Sequence, residues 1–152
     1  MKPVTVTTTV PQGPEEVFDL IDQLAAHESF TDHFLVDWST SGPPTGVGGK
    51  ARMRVKKPGR PDWMDLEVKE VERPVRTVEE SIGAGGKRHT RGTYVLTPAA
   101  GGGTEIAFTL EWITAPLSER IASPISRAVA RKANAEALRR LAEKLSGNPP
   151  RG

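Results

Sequence analysis

The chain has 152 residues, with 21 lysines and arginines against 19 aspartates and glutamates, and it contains no cysteine. The missing cysteine excludes a disulfide scaffold, a thiol nucleophile and a cysteine-ligated metal. The formal net charge is only +2, and the sequence has no basic stripe or arm of the kind that nucleic-acid binders carry. It also has no long apolar run, so we expect a cytoplasmic protein without an integral membrane segment.

The N-terminal part predicts one strand followed by two short helices. Valines at 4, 6 and 10 alternate with threonines, which gives a strand of period two built from β-branched residues. Pro14 suits the first turn of a helix, and Val17 to Leu24 then give an apolar face with helical spacing. A second helix or helical turn is expected over 25–34.

Six further strands are predicted between residues 35 and 113. Their separators are rich in glycine and proline, and this close spacing favours antiparallel hairpins. The predicted strands are Leu35–Thr40, Gly49–Lys57, Trp63–Glu72, Val75–Ile82, Arg88–Pro98 and Thr104–Ile113.

A long helix is predicted from Ser118 to Ser146, because apolar residues recur there at steps of three and four. Pro124 either ends a first turn or kinks the helix. Gly147 ends the helix, and we expect residues 148–152 to form a flexible tail. The length fits one domain over 1–147, an α+β fold in which a curved antiparallel sheet of about seven strands wraps the long helix.

Hairpin arithmetic assigns one face of this sheet to the interior. If the loop at 99–103 closes a hairpin, Tyr94 lies near Phe108; if the loop at 83–86 closes another, Glu80 lies near Thr90. The even-numbered residues of these strands then share the inner face. Packing alone explains most of them. The sharper hypothesis is a ligand cavity whose wall consists of Trp38, Met53, Met64, Val78, Glu80, Tyr94, Phe108, Leu110 and Trp112, facing Ile121, Ile125 and Val129 of the helix.

Three polar residues are candidates for positioning a ligand or for catalysis. A carboxylate at Glu80 on the inner face would be costly unless it were paired, hydrated or protonated. Alternatively, Glu80 lies near the open rim of the cavity, or a β-bulge turns its side chain outward. Tyr94 could donate its hydroxyl to Glu80 or to a ligand, and His33 could orient a polar ligand group at the mouth. His27 and His33 are six residues apart, which is not metal-ligand spacing, so we expect no metal. We expect no cofactor either.

Several short motifs together resemble the START-like or SRPBCC superfamily, the birch-pollen-allergen-like proteins with a helix-grip fold. They are the strand-to-helix opening Val10–Ile21, the turn Gly46–Gly49, the strand Thr93–Pro98, the glycine turn Gly101–Gly103 before Thr104 and Glu105, and the arginine-rich final helix with its proline. The order of these motifs is most similar to the bacterial polyketide cyclase/dehydrase and lipid-transport group. The resemblance covers nearly the whole chain and implies the fold and a cavity, but no single activity.

The sequence leaves three functions open. The first is a carrier or sensor that binds a hydrophobic small molecule, either lipid-like or aromatic. The second is an aromatase/cyclase-type enzyme that uses Glu80, Tyr94 or His33 for proton transfer. The third is an interaction protein with a filled core. The sequence favours binding over catalysis; it leaves open peripheral lipid contact through the basic final helix, and whether the chain is a monomer or a homodimer.

Overall fold

The computed structural model describes residues 1–147, in which seven strands form one antiparallel sheet and four α-helices accompany it. The predicted tail at 148–152 lies outside the described residues. The spatial order of the strands is β1-β7-β6-β5-β4-β3-β2, so β5 is central. The strands are β1 (Val4–Val10), β2 (Leu35–Ser41), β3 (Lys50–Val55), β4 (Asp62–Glu72), β5 (Arg76–Gly83), β6 (Arg88–Pro98) and β7 (Thr104–Thr114).

The helices lie where the sequence predicts them, and they complete the helix-grip fold. They are α1 (Pro14–Ile21), α2 (Glu28–Thr31), α3 (Leu117–Ile121) and α4 (Ser123–Leu145). Pro14 begins α1, where its missing N–H leaves no intrahelical bond unmade, and Glu15 and Glu16 lie at the positive end of the helix. The predicted α+β architecture, strand, two helices, six strands and a long helix, is therefore confirmed.

The predicted final helix is divided in two. The break falls at Ala122, and Pro124 lies in the first turn of α4, where a proline is tolerated. The C-terminal half of α4 packs on the sheet through Ala137, Leu138 and Leu141. We call the sheet face that α1 and α4 cover the inner face.

Basic residues of α4 attach the helix to the rest of the fold. Arg127 and Arg131 donate to backbone carbonyls of the N-terminal segment, including that of Thr5 at 3.2 Å. Arg140 pairs with Asp32 next to α2 at 2.8 Å. Arg127, Arg131 and Arg140 therefore bind within the chain, although Arg131 remains exposed to solvent.

The hydrophobic core is divided into two clusters. The first joins β1, β6 and β7 to α1 and α4 and includes Phe18, Ile106 and Leu141. The second lies on β3 and β4 and includes Met53 and Leu66. The central strand β5 lies between them and contributes to neither cluster, which marks a part of the inner face that is not filled by apolar packing.

A candidate ligand cleft on the central strand

The β5–β6 hairpin has a register that differs by one residue from the predicted one. The β6–β7 hairpin pairs Tyr94 with Phe108 as predicted, but β5 pairs Glu80 with Arg91 and Glu79 with Gly92. The connecting loop holds four residues, 84–87, and an even-numbered loop places odd residues of one strand opposite even residues of the next. Because β6 directs its even residues inward, β5 directs its odd residues inward.

The prediction that Glu80 and Val78 face the interior is therefore wrong. Glu80 lies on the outer face, where it accepts hydrogen bonds from His89 at 2.8 Å and from Arg91 at 3.4 Å. These contacts hold the pKa of Glu80 below its ordinary value, the hydrogen bond from His89 being the largest cause. Val78 pairs with Thr93 and is buried on that outer side. Neither residue is a wall of an interior site.

The inner face of β5 carries three polar side chains in succession, Thr77, Glu79 and Ser81. They pair across the strand with Tyr94, Gly92 and Thr90 of β6. The side-chain oxygens of Thr77, Glu79, Ser81, Thr90 and Tyr94 make no hydrogen bond within residues 1–147, yet none of them is sealed away from water. These five residues thus border a space that water can reach, which we call the inner cleft.

Glu79 occupies the centre of this cleft. Across the sheet, its inner-face neighbours are Val68 of β4 on one side, and Gly92 of β6 followed by Leu110 of β7 on the other. A Cβ built on Gly92 would lie 2.9 Å from the Phe108 ring and 3.1 Å from Oε1 of Glu79. The missing side chain at position 92 therefore makes room for both the aromatic ring and the carboxyl group.

Burial among these neighbours raises the pKa of the Glu79 carboxyl to about 7, because desolvation disfavours the charged form. The side chain nevertheless keeps part of its surface accessible. Glu79 is therefore strongly desolvated without being completely enclosed. Burial, followed by the nearby charge of Glu79, also raises the pKa of the Tyr94 hydroxyl well above its ordinary value.

His27 adds a hydrogen-bond acceptor next to Tyr94. Its Nε2 lies 2.7 Å from the backbone carbonyl of Ile21, and a carbonyl only accepts, so Nε2 carries the proton. Burial lowers the pKa of His27, which makes the neutral ring with an unprotonated Nδ1 the favoured form. That Nδ1 has no partner among the described residues and borders water-accessible space. The ring stands nearly perpendicular to Tyr94, with centroids 6.1 Å apart.

A buried ion network lies at the end of the sheet where β5 and β6 are joined. Arg88 donates to Asp62 at 2.9 Å and to Glu119 of α3 at 2.6 Å. The side chain of Asp62 is only 4% exposed. Burial alone would raise the pKa of Asp62, but hydrogen bonds from Arg88 and from the backbone N–H of Ala84 hold it below its ordinary value. The network anchors α3 to the sheet beside the cleft.

The predicted apolar wall divides into core residues and cleft residues. Met53 is fully buried in the second core cluster, and Trp38 and Met64 pack partly buried against that cluster. Phe108 lies in the first cluster next to Gly92. Leu110 and Trp112 follow on the inner face of β7 opposite Gly92 and Thr90, and both remain partly accessible, which makes them the predicted wall residues nearest the cleft opening.

The three helix residues predicted to face the wall are exposed. Ile121, Ile125 and Val129 keep 75%, 68% and 64% of their surface, whereas the covering residues of α4 are Ala137, Leu138 and Leu141. Side chains this exposed do not form a closed wall in the ligand-free structure, and their contact with a ligand stays a prediction. The break at Ala122 and the hydrogen bonds of Arg127 and Arg131 fix this end of the helix along β1, so its isoleucines and valine are left uncovered.

His33, which the sequence offered as a residue that orients a polar ligand group at the mouth, bonds instead to the backbone of α4. Its Nε2–H donates to the carbonyl of Ala133 at 2.9 Å, which joins the end of α2 to α4. Its Nδ1 is buried without a partner among the described residues. His33 therefore orients two helices.

The outer face carries a separate depression of about 630 Å³ over β2 to β6. Its acidic side chains are already paired, Asp65 with Arg52, Glu67 with Lys69 and Glu80 with His89 and Arg91. The inner cleft, with an unpaired carboxyl group next to partly accessible apolar residues, is the better candidate for a ligand site.

Comparison with known proteins agrees with this architecture. The family described as polyketide cyclase/dehydrase and lipid transport matches residues 1–146. The chain belongs to this family. No curated protein matches the sequence.

Solved structures share the fold at low sequence identity. The protein TTHA0849 from Thermus thermophilus is 19% identical with a TM-score of 0.79, over 96% of this chain and 98% of that one. Ara h 8.0201 is 13% identical with a TM-score of 0.70, over 97% and 99%. DynU16, from the dynemicin biosynthetic locus, is 22% identical with a TM-score of 0.70, over 100% of this chain and 50% of its own. Within residues 1–147, no helix is both long and apolar enough to cross a membrane.

Proposed function

We propose that this family member binds a hydrophobic small molecule in the inner cleft and holds it by one polar end. The observation that carries the proposal is the row of unpartnered polar groups on the central strand, between two clusters of apolar packing. In the ligand-free protein these groups can bond only to water, because no group within residues 1–147 pairs with them. A bound molecule would supply the missing partners.

The apolar part of the ligand would lie against β7. Leu110 and Trp112 are partly accessible on the inner face, next to the ring of Phe108. Covering such side chains contributes roughly 25 cal/mol per Å² of apolar surface removed from water. The polar end would then face Glu79 and Tyr94 in the centre of the sheet. This division suits an amphipathic molecule with an aromatic or aliphatic body, carried or sensed rather than transformed.

Replacing Trp112 with alanine is expected to weaken the binding of N-phenyl-1-naphthylamine, a neutral apolar fluorophore, by about tenfold or more. The physical reason is the loss of the indole from the cleft wall. The measurement is a fluorescence titration of the wild type and of the variant.

Trp63→Ala is the matched control, because Trp63 is exposed on the outer face with the Arg52 guanidinium 5.0 Å from its ring. It should leave the affinity unchanged. Equal losses in both variants, or no binding to the wild type, would contradict the proposal.

A second function, proton-transfer catalysis, is favoured by one specific observation. Glu79, Tyr94 and the free Nδ1 of His27 are all unpartnered near one another, and burial raises the pKa of Glu79 to about 7. A carboxyl group that titrates near neutral pH suits general acid–base chemistry. In this candidate, Glu79 would remove a proton next to a ketone while Tyr94 donates to the carbonyl oxygen.

Exchange of the α-protons of 2-tetralone in D₂O, followed by NMR, tests the enzymatic candidate. Catalysis predicts that the wild type accelerates exchange at least about a hundredfold more than Glu79→Gln does, since general base catalysis typically contributes a factor of that order. Equal rates in the two proteins would exclude Glu79 as the base and leave the binding function as the proposal.

A further inference from the structure

The carboxylates of Asp62 and Glu79, both on the inner face, have different surroundings. Asp62 receives a hydrogen bond from Arg88 at 2.9 Å and another from the backbone N–H of Ala84 at 3.0 Å. Glu79, on the adjacent central strand, receives none within residues 1–147. A buried carboxyl group of this kind costs stability unless something supplies the counter-charge.

No basic side chain faces Glu79 from the surrounding strands that the structure describes. Its inner-face neighbours are Leu66 and Val68 on β4, Thr90, Gly92 and Tyr94 on β6, and Leu110 on β7, with the ring of Phe108 above Gly92.

The titratable groups on this side are Tyr94, the neutral His27 beside it, and the mutually paired Asp62, Arg88 and Glu119 at the strand ends. The centre of the cleft is therefore acidic, and burial without any contribution from a neighbouring charge accounts for the raised pKa of Glu79.

We propose that the inner cleft selects ligands that carry a cationic amine on an apolar body, with Glu79 as the counter-ion of the amine. This inference rests on the proposed binding function and adds the chemical class of the ligand. The ammonium group donates to the carboxylate of Glu79, and hydroxyl oxygens of the cleft, such as those of Tyr94 and Thr90, accept its remaining N–H bonds. The apolar body lies against Leu110 and Trp112. An anionic head group is repelled.

The proposal carries a definite pH dependence. An ammonium ion binds the ionised carboxylate, so binding at low pH must first remove a proton from Glu79. Because burial raises the pKa of Glu79 to about 7, the affinity for the amine rises about tenfold per pH unit below 7 and becomes level above it. The plateau lasts until the amine itself loses its proton, near pH ~10. A neutral alcohol shows no such rise.

Isothermal titration calorimetry with decylamine, decanol and decanoate tests the inference, because the three ligands share one chain and differ in the head group. At pH 8 we expect decylamine to bind at least about tenfold more tightly than decanol, and decanoate to bind most weakly. At pH 6 the preference for decylamine over decanol should fall by about tenfold. Glu79→Gln should remove the preference while decanol still binds.

Glu80→Gln is the matched control, since it removes the same charge one residue away on the outer face, where Glu80 is paired with His89 and Arg91. The preference for decylamine should survive in this variant. Equal binding of decylamine and decanol by the wild type, or a preference that persists in Glu79→Gln, overturns the amine proposal and leaves the cleft as a binder of neutral ligands. Absence of binding by all three ligands and by N-phenyl-1-naphthylamine overturns the binding function as well.

Discussion

Replacing Arg88 with methionine is expected to lower the free energy of unfolding by about 3–5 kcal/mol, because it leaves the carboxylate of Asp62 buried without its counter-ion. Asp62 is 4% exposed, and Arg88 lies between it and Glu119, with donor–acceptor distances of 2.9 and 2.6 Å. Methionine retains much of the apolar stem of arginine and removes the charge. The measurement is urea unfolding at pH 7, analysed by linear extrapolation.

The double variant Asp62→Asn with Arg88→Met separates the charge from the packing. Asparagine can still accept the hydrogen bond from the N–H of Ala84, so the double variant should regain most of the lost stability. A double variant as unstable as Arg88→Met alone would mean that lost packing, and not the unpaired carboxylate, causes the effect.

The overall architecture could be predicted from the sequence because it depends on patterns that repeat along the chain. Alternating valines and threonines define β1, glycine-rich loops separate the later strands, and apolar steps of three and four define the last helix. A series of weak signals in one order is more specific than any one of them. Pro124 also indicated where the final helix is divided. A proline at this position predicts either a break or a kink, and the helix breaks at Ala122, just before Pro124 in the first turn of α4.

The cleft could not be predicted in full because a single loop decides which side chains line it. Whether Glu79 or Glu80 faces inward depends on whether the loop between β5 and β6 has an even or an odd number of residues. In this loop, 84–87, Ala84, Gly85 and Gly86 all have positive φ. Both alternatives are present in the sequence as adjacent glutamates. The strand pattern favoured the wrong one, since Val78 and Ile82 are apolar and share the parity of Glu80. The best sequence signal for the position of the cleft was Gly92. A glycine on the inner face of a strand indicates that a neighbouring side chain approaches the backbone closely.

His27 and the exposed residues of the last helix illustrate a second limit. Nothing in the spacing of the histidines distinguishes His27, whose ring packs near Phe30, Trp38 and Tyr94, from His33, which bonds to α4. The apolar positions Ile121, Ile125 and Val129 follow the helical period as regularly as the buried Leu138 and Leu141. Periodicity identifies a helix, but the contacts of Arg127 and Arg131 with the N-terminal segment decide which part of it is covered.

Replacing Glu79 with glutamine is expected to stabilise the ligand-free protein at pH 8 by about 2–3 kcal/mol and to leave its stability at pH 4 nearly unchanged. The folded state raises the pKa of this carboxyl from its ordinary 4.5 to about 7, so the folded protein binds the proton more tightly than the unfolded chain does. The contribution of the Glu79 carboxyl to the stability of the wild type is therefore greatest below pH 4.5 and is lost as the pH rises through 7. Urea unfolding of both proteins between pH 4 and pH 8 measures the difference.

The neighbouring variant Glu80→Gln should change stability in the opposite direction. The hydrogen bond from His89, with the charge of Arg91, lowers the pKa of Glu80, so its contribution is present above the unfolded-state pKa and is lost in acid. Removing it should destabilise the protein at pH 7. A loss of stability in Glu79→Gln at pH 8 would show that its carboxylate has a stabilising partner. A gain would mean that the fold keeps an unfavourable charge at the centre of its sheet, which is expected where a group is retained for binding rather than for stability.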